Sequence, residues 1–281
     1  MKILVTGATG LVGKLVAGMA ASRHDVLACG RADLDVTRVV DVARVFREFR
    51  PDTVLHSAAY TDVDGAESER ELALSVNSNG SRIVSRSARA EGAYILYVSS
   101  DYVFDGEAET PYREEHPPRP LSIYGKSKLE GERQVAEASP ETYAVVRTGW
   151  VYGPGKGFVD WARARLLRGE ELRLVEDQRG SPTSARELAA AMLTLAEGAH
   201  RGVFHYVNQG EASWLQLGRA VAEELGCDPS RIRAIRAAEL KRAAPRPRYS
   251  ALSVERYEKV TGERVPTWRE ALRRYLGTGD S

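Results

Sequence analysis

Lys2-Ile3-Leu4-Val5-Thr6-Gly7-Ala8-Thr9-Gly10-Leu11-Val12-Gly13 opens the chain, and its reading decides the fold. Lys2–Thr6 is a short apolar strand signal, glycines follow, and residues 14–21 carry apolar side chains at helical spacing. A strand passing through a glycine-rich turn into a helix is the setting of a dinucleotide site. Glycine lets the turn close and the backbone approach a pyrophosphate, which rests on the N-terminus of the following helix. Gly7, Gly10, Leu11, Val12 and Gly13 are therefore expected to line a cofactor. A structural strand-to-helix turn would use the same residues, so the rest of the chain must discriminate.

The alternation continues outward from this stretch. Residues 25–29, 52–56, 94–98 and 142–147 read as strands, with helical stretches at 39–49, 69–91 and 122–137 between them. Strands alternating with helices predict an α/β fold, a doubly wound parallel Rossmann sheet with ligands at the strand carboxyl ends. Beyond Val151 the rhythm loosens, with helices at 158–167 and 185–197 and a strand within 202–208. Ser213 is placed to cap a helix that stops at Gly226, and a final amphipathic helix starts near Pro266. The expected organisation is a NAD(P)-binding domain over 1–150 and a smaller substrate-binding lobe over 151–281, with some of its segments returning to the sheet.

Composition narrows the class. With 28% charged residues and a net charge of +1, the chain lacks the overall basic surface of a nucleic-acid protein. No apolar run reaches the length of a membrane span, and the N-terminus enters a strand with no signal peptide. Cys29 and Cys227 have no metal-ligand spacing. The expectation is a cytoplasmic enzyme with no membrane or nucleic-acid partner and no assigned metal.

Chemistry concentrates at the strand ends. After the second strand, Arg31 suits the extra phosphate of NADPH, with NADH left open because acidic residues follow it. Ser57, Ala58 and Ala59 are small enough for a cofactor to pass close to the backbone after the third strand. Ser100, after the fourth, can donate to a substrate carbonyl. Tyr124-Gly125-Lys126-Ser127-Lys128 then puts a phenol and an ammonium on one helix face, since residues four apart are neighbours. A positive charge favours phenolate, so Lys128 is expected to lower the Tyr124 pKa and to hold the cofactor ribose. A Tyr-x-x-x-Lys by itself is a common surface pair; Ser100 and the glycine turn make it a catalytic set. In that set hydride reaches a ketone carbon, Ser100 steadies the oxygen and Tyr124 delivers the proton.

The glycine spacing, Gly-x-x-Gly-x-x-Gly, resembles that of extended short-chain dehydrogenase/reductases. Longer segments sharpen this: residues 58–68, 100–106, 123–129, 147–152, 177–183 and 246–252 together resemble the dTDP-4-dehydrorhamnose reductase family over nearly the whole chain. That resemblance implies NADPH-dependent reduction of a dTDP-4-keto-6-deoxysugar, with Asp35 and Val36 near the adenine and Thr61, Tyr102 and Trp150 near the sugar. Some members bind Mg2+ at a dimer interface through glutamates. No motif here places such a site, and a homodimer is carried only as an implication of the resemblance. Ser57 and Gly149 depart slightly from the family pattern without touching the chemistry.

One feature independent of the resemblance points to a diphosphate. Residues 231–248 hold seven basic residues against Glu239 alone, a local charge of +6. Arginine forks suit phosphate oxygens, and Arg246 is the best-placed by motif, although a solvated basic surface has the same composition. Two rival readings remain. One is an epimerase or 4-ketoreductase acting on another nucleotide sugar. The other is a non-catalytic NADP-binding subunit resembling that of methionine adenosyltransferase, against which Ser100, Tyr124 and Lys128 weigh.

Overall fold

A computed structural model describes residues 1–155 and 157–277. β1 (Lys2–Thr6) leads through the glycine turn into α1 (Leu11–Ala20), then β2 (Asp25–Cys29), α2 (Val39–Phe49) and β3 (Thr53–His56). The chain next winds through α3 (Gly65–Ser68), α4 (Arg70–Leu74) and a π-helical segment (Ser75–Gly80) into α5 (Ser81–Ala90). β4 (Tyr94–Ser100), α6 (Ile123–Ala138) and β5 (Tyr143–Thr148) complete the first half.

These strands form one parallel sheet in the order β10-β5-β4-β3-β1-β2, where β10 is Gly202–His205. A segment from beyond residue 150 therefore closes one edge. The chain leaves β1 for β2 on one side and returns to β3 on the other, so the direction of winding across the sheet reverses between β1 and β3. Ligands of open α/β sheets bind at the carboxyl ends of the strands around such a switch.

Strand alternation assigns side chains to two faces. Leu4, Val54, Ile95 and Val145 pack beneath α2 and α5. Ile3, Val5, Leu55, Leu96 and Val146 face α1 and α8 (Ala185–Glu197). Each of these side chains, fully removed from water, contributes about 1.5–3 kcal/mol. Because both faces are covered, the strands read in the sequence as continuous apolar runs.

After β5 come β6 (Val151–Tyr152), α7 (Phe158–Leu167), β7 (Leu172–Val175), β8 (Arg179–Gly180) and β9 (Thr183–Ser184). Beyond α8 and β10 lie β11 (Ala212–Ser213), α9 (Trp214–Glu224), β12 (Ile232–Ile235), α10 (Glu255–Thr261) and α11 (Trp268–Gly277). α7, α9 and α11 enclose a separate core of Val159, Leu166, Leu172, Leu174, Leu217, Val221 and Leu272. Ser213 caps α9 through a full capping box with Gln216, and Gly226 follows in a left-handed conformation.

The helix expected over 69–91 is interrupted. Asn77, fully buried in the π-helical segment, accepts from Tyr60 N at 2.8 Å and donates to Tyr60 O at 3.0 Å and Ser127 Oγ at 2.8 Å. One amide side chain thereby joins the loop after β3 to α6. π-turns cluster at functional sites, and this one braces the helix that carries Tyr124.

Candidate active site

A cavity of about 770 Å3 opens at the carboxyl ends of β1, β3, β4 and β5. Among its lining residues are Gly7, Gly10, Leu11, Val12, Gly13, Arg31, Asp35, Val36, Ser57, Ala58, Ala59, Thr61, Ser100, Tyr102, Tyr124, Lys128 and Trp150. Every site residue expected from the sequence except Arg246 is thus brought to one wall or another.

The cofactor end tests directly against the glycine turn. Gly7 has φ +69°, and a Cβ there would stand 2.6 Å from Ala58 N. A Cβ on Gly13 would stand 2.3 Å from Gly7 O and 2.7 Å from Ser57 Oγ. α1 begins at Gly10 with no side-chain cap and no acidic residue in its first turn. A helix N-terminus left open in this way attracts an anion. The residues present therefore fit a dinucleotide. Ser57 Oγ donates to Thr6 O at 2.6 Å and ties the β3 loop to β1 beneath the turn. Asp35 is engaged by Thr37 N at 3.0 Å and Thr37 Oγ1 at 2.7 Å, which lowers its pKa and keeps it anionic. Asp33 accepts from Gly30 N at 2.9 Å and serves as a turn cap.

Ser122 caps α6 by accepting from Gly125 N at 3.1 Å, so Tyr124 emerges in the first turn and Lys128 one turn later. Lys128 Nζ donates to Val98 O at 2.7 Å and lies 4.1 Å over the Tyr97 ring. Burial pulls its pKa down to about 7, and Glu132 opposes that shift. Glu132 is itself held bidentately by Arg147 at 2.9 and 2.7 Å, with Ser99 Oγ donating to it at 2.5 Å. The expected lowering of the Tyr124 pKa by Lys128 is not what the fold produces. Tyr124 is pushed upward, because burial disfavours phenolate more than a hydrogen bond with Ser100 favours it. The phenol stays protonated, which is the state a proton donor needs.

Ser100 is also engaged within the protein. Its Oγ accepts from Tyr102 N at 3.2 Å and donates its single proton to Asp101 Oδ1 at 3.0 Å. Asp101, the next residue, carries no motif signal of its own, yet it is fully buried beside Ser100. Ser250 Oγ donates to its other oxygen at 2.6 Å. Burial drives the Asp101 pKa up to about 6, with the two serine hydrogen bonds opposing. An acid with a raised folded pKa contributes stability that is present below the unfolded value and lost as pH rises through the folded one. The stability advantage of wild type over Asp101→Asn is therefore expected to shrink by on the order of 2 kcal/mol between about pH 4 and pH 7. Urea unfolding of both proteins across that range measures it, and a pH-independent difference would refute the assignment.

Thr61 and Tyr102 also line the cavity, with the Tyr102 ring edge-on to Tyr124 at 5.8 Å. Trp150 lines it in left-handed backbone, φ 49°. A non-glycine residue held there costs about 1–3 kcal/mol, and such strain collects at functional sites. Its indole stacks on Trp214, a cavity residue that no sequence motif flagged.

Arg246 is drawn elsewhere. Its Nη1 and Nη2 each donate to Asp64 at 2.7 Å, and it is absent from the cavity lining. Asp64 is correspondingly acidified, chiefly by that hydrogen-bonded guanidinium. Arg233 likewise pairs with Glu171 at 2.8 Å. The local charge of residues 231–248 is partly neutralised by carboxylates distant in sequence.

With this geometry in place, relatives can be compared. The family model described as the RmlD substrate binding domain matches residues 1–280. A dTDP-4-dehydrorhamnose reductase of Mycobacterium tuberculosis H37Rv is 42% identical over 280 residues, covering 96% of this chain and 91% of the relative. A probable dTDP-4,6-dihydroxy-2-methyloxan-3-one 4-ketoreductase of Streptomyces antibioticus is 40% identical, covering 97% and 94%. Among solved structures, the dTDP-4-dehydrorhamnose reductase of Bacillus anthracis str. Ames in complex with NADP is 34% identical, with a TM-score of 0.94 and 99% of both chains covered. The chain therefore belongs to the RmlD substrate-binding-domain family, that of the dTDP-4-dehydrorhamnose reductases.

Proposed function

We propose that the protein reduces the 4-keto group of dTDP-4-dehydro-β-L-rhamnose with NADPH, yielding dTDP-L-rhamnose. The observation that carries this is the convergence of Ser100, Tyr124 and Lys128 on a cavity whose far end is the glycine turn. NADPH, when bound, supplies the hydride. Gly7, Gly10 and Gly13 with the α1 N-terminus receive its pyrophosphate, Arg31 its ribose phosphate, and Ser57, Ala58 and Ala59 leave room along its length. Lys128 offers an ammonium at the ribose. Tyr124 keeps its proton until charge builds on the substrate oxygen and then delivers it. Ser100 holds that oxygen once its hydroxyl turns from Asp101.

In this reading residues 1–150 bind the cofactor, and the smaller lobe that follows adds Val151, Gly157 and Trp214 to the cavity beside Trp150. Arg246, fixed by Asp64 and hydrogen-bonded with the cavity residue Tyr102, is the candidate for the substrate diphosphate. The reading also implies a cytoplasmic location, in keeping with the free thiols Cys29 and Cys227, and a homodimer. Among the described residues no helix is long and apolar enough to cross a membrane.

The Streptomyces antibioticus relative supports a second reading, in which another dTDP-linked ketosugar is the substrate. The test supplies dTDP-4-dehydro-β-L-rhamnose and related dTDP-4-keto-6-deoxyhexoses separately and follows NADPH absorbance. Fastest turnover of the first is expected. A faster rate on a different ketosugar selects the second reading, and no net oxidation with any of them removes both.

A further inference from the structure

Trp150 and Trp214 stack with ring centroids 3.6 Å apart and planes 4° from parallel. Aromatic pairs left to their own electrostatics prefer offset or edge-on contacts over a face-to-face sandwich. Packing therefore imposes this arrangement, and the packing is visible. Trp214 is the first residue of α9, whose start is set by the Ser213–Gln216 capping box. Phe158 of α7 supports its ring at 5.0 Å. On Trp150 itself, Gly180 leaves so little room that a Cβ there would lie 2.4 Å from the indole Nε1 and Cε2. Two elements of the C-terminal half thus hold one indole whose own backbone is strained, α9 through Trp214 and β8 through Gly180, with α7 behind Trp214.

Both indoles line the substrate end of the cavity. The wall they present is apolar, with the indole N–H groups as its only polar atoms. A 6-deoxyhexose offers a methyl group and a C–H face to such a wall. A hexose carrying a hydroxymethyl group would bring a hydroxyl against carbon, with its hydrogen bonds to water lost.

We infer that Trp214 is a positioning residue for the sugar, fixing the plane of Trp150 so that the cavity selects a 6-deoxy-4-ketohexose through its apolar face. This rests on the ketosugar reductase reading above. It adds a residue and a specificity to that reading.

The experiment compares wild type, Trp214→Leu and Trp214→Phe. Trp214→Leu is expected to raise KM for the ketosugar roughly 10-fold or more, the scale of apolar-pocket discrimination, with kcat and NADPH Kd little changed. Trp214→Phe keeps an aromatic face and should recover most of the loss. The exciton-coupled circular dichroism of the indole pair should respond to dTDP-L-rhamnose in wild type and vanish in both variants. Thermal melting monitors the fold. An unchanged KM in Trp214→Leu overturns the inference while wild-type turnover leaves the reductase reading standing. Equal losses of ketosugar and NADPH affinity, without rescue by Phe, make the role merely structural and overturn it as well. Absence of wild-type turnover on any ketosugar removes the underlying reading, and the inference with it.

Discussion

Tyr124→Phe is expected to lower kcat by about 10²–10⁴-fold, the usual worth of a positioned proton donor, while NADPH affinity changes little. The substitution removes one oxygen and keeps the ring, including its edge contact with Tyr102 at 5.8 Å. What it deletes is the proton, at a cavity phenol that hydrogen-bonds with Ser100. Because burial raises the Tyr124 pKa, the wild-type hydroxyl remains protonated through the neutral range, so the loss should be nearly independent of pH there. NADPH oxidation in the steady state gives kcat, and quenching of protein fluorescence gives the cofactor Kd. Equal rates in wild type and variant would take Tyr124 out of the chemistry.

Gly13→Ala is expected to weaken NADPH binding by about 10–100-fold, corresponding to the roughly 1–3 kcal/mol that overpacking costs. The added methyl would meet Gly7 O at 2.3 Å, a backbone atom that cannot swing aside. Gly7 is in turn anchored, since its carbonyl accepts from Gly10 N at 2.9 Å and its φ of +69° suits glycine alone. Relief requires the turn to open, and the turn is the proposed phosphate cradle. Gly18 provides the control on the same helix, because a Cβ there meets nothing within 4 Å. Gly18→Ala should leave NADPH affinity unchanged and stabilise the protein by roughly 0.5–1 kcal/mol. Calorimetric titration of both variants separates the two outcomes, and undiminished affinity in Gly13→Ala would mean that the cofactor lies elsewhere.

The strand–turn–helix reading at the N-terminus, the parallel sheet and the helices at 39–49, 158–167 and 185–197 were legible because their signals are local. A buried strand is a short apolar run, and a capped helix carries its start and stop within its own residues. The π-turn at Ser75–Gly80 was not legible in this way. It depends on Asn77 meeting Tyr60 and Ser127, partners 17 and 50 residues away. Polar side chains choose such partners only after the fold has gathered them.

Electrostatics divides along the same line. Residues 231–248 look strongly basic in the sequence, yet Arg246 is satisfied by Asp64 across 182 positions. Lys128 looks able to activate Tyr124 from four residues away, yet burial dominates both groups and favours the neutral form of each, raising the tyrosine pKa and lowering that of the lysine. Desolvation depends on everything packed around a group, and a one-dimensional spacing carries no measure of it.

The sequence by itself determined the architecture and the glycine turn, and singled out Ser100, Tyr124 and Lys128 as candidates that the fold brings to one cavity, since periodicity, glycine placement and helical spacing are properties of neighbouring residues. Only the tertiary structure decided that Ser250 donates to Asp101, that Arg246 is paired with Asp64, and that Trp214 stacks on Trp150. Those contacts join residues brought together by folding, and their energies come from burial and close approach that exist only in the packed molecule.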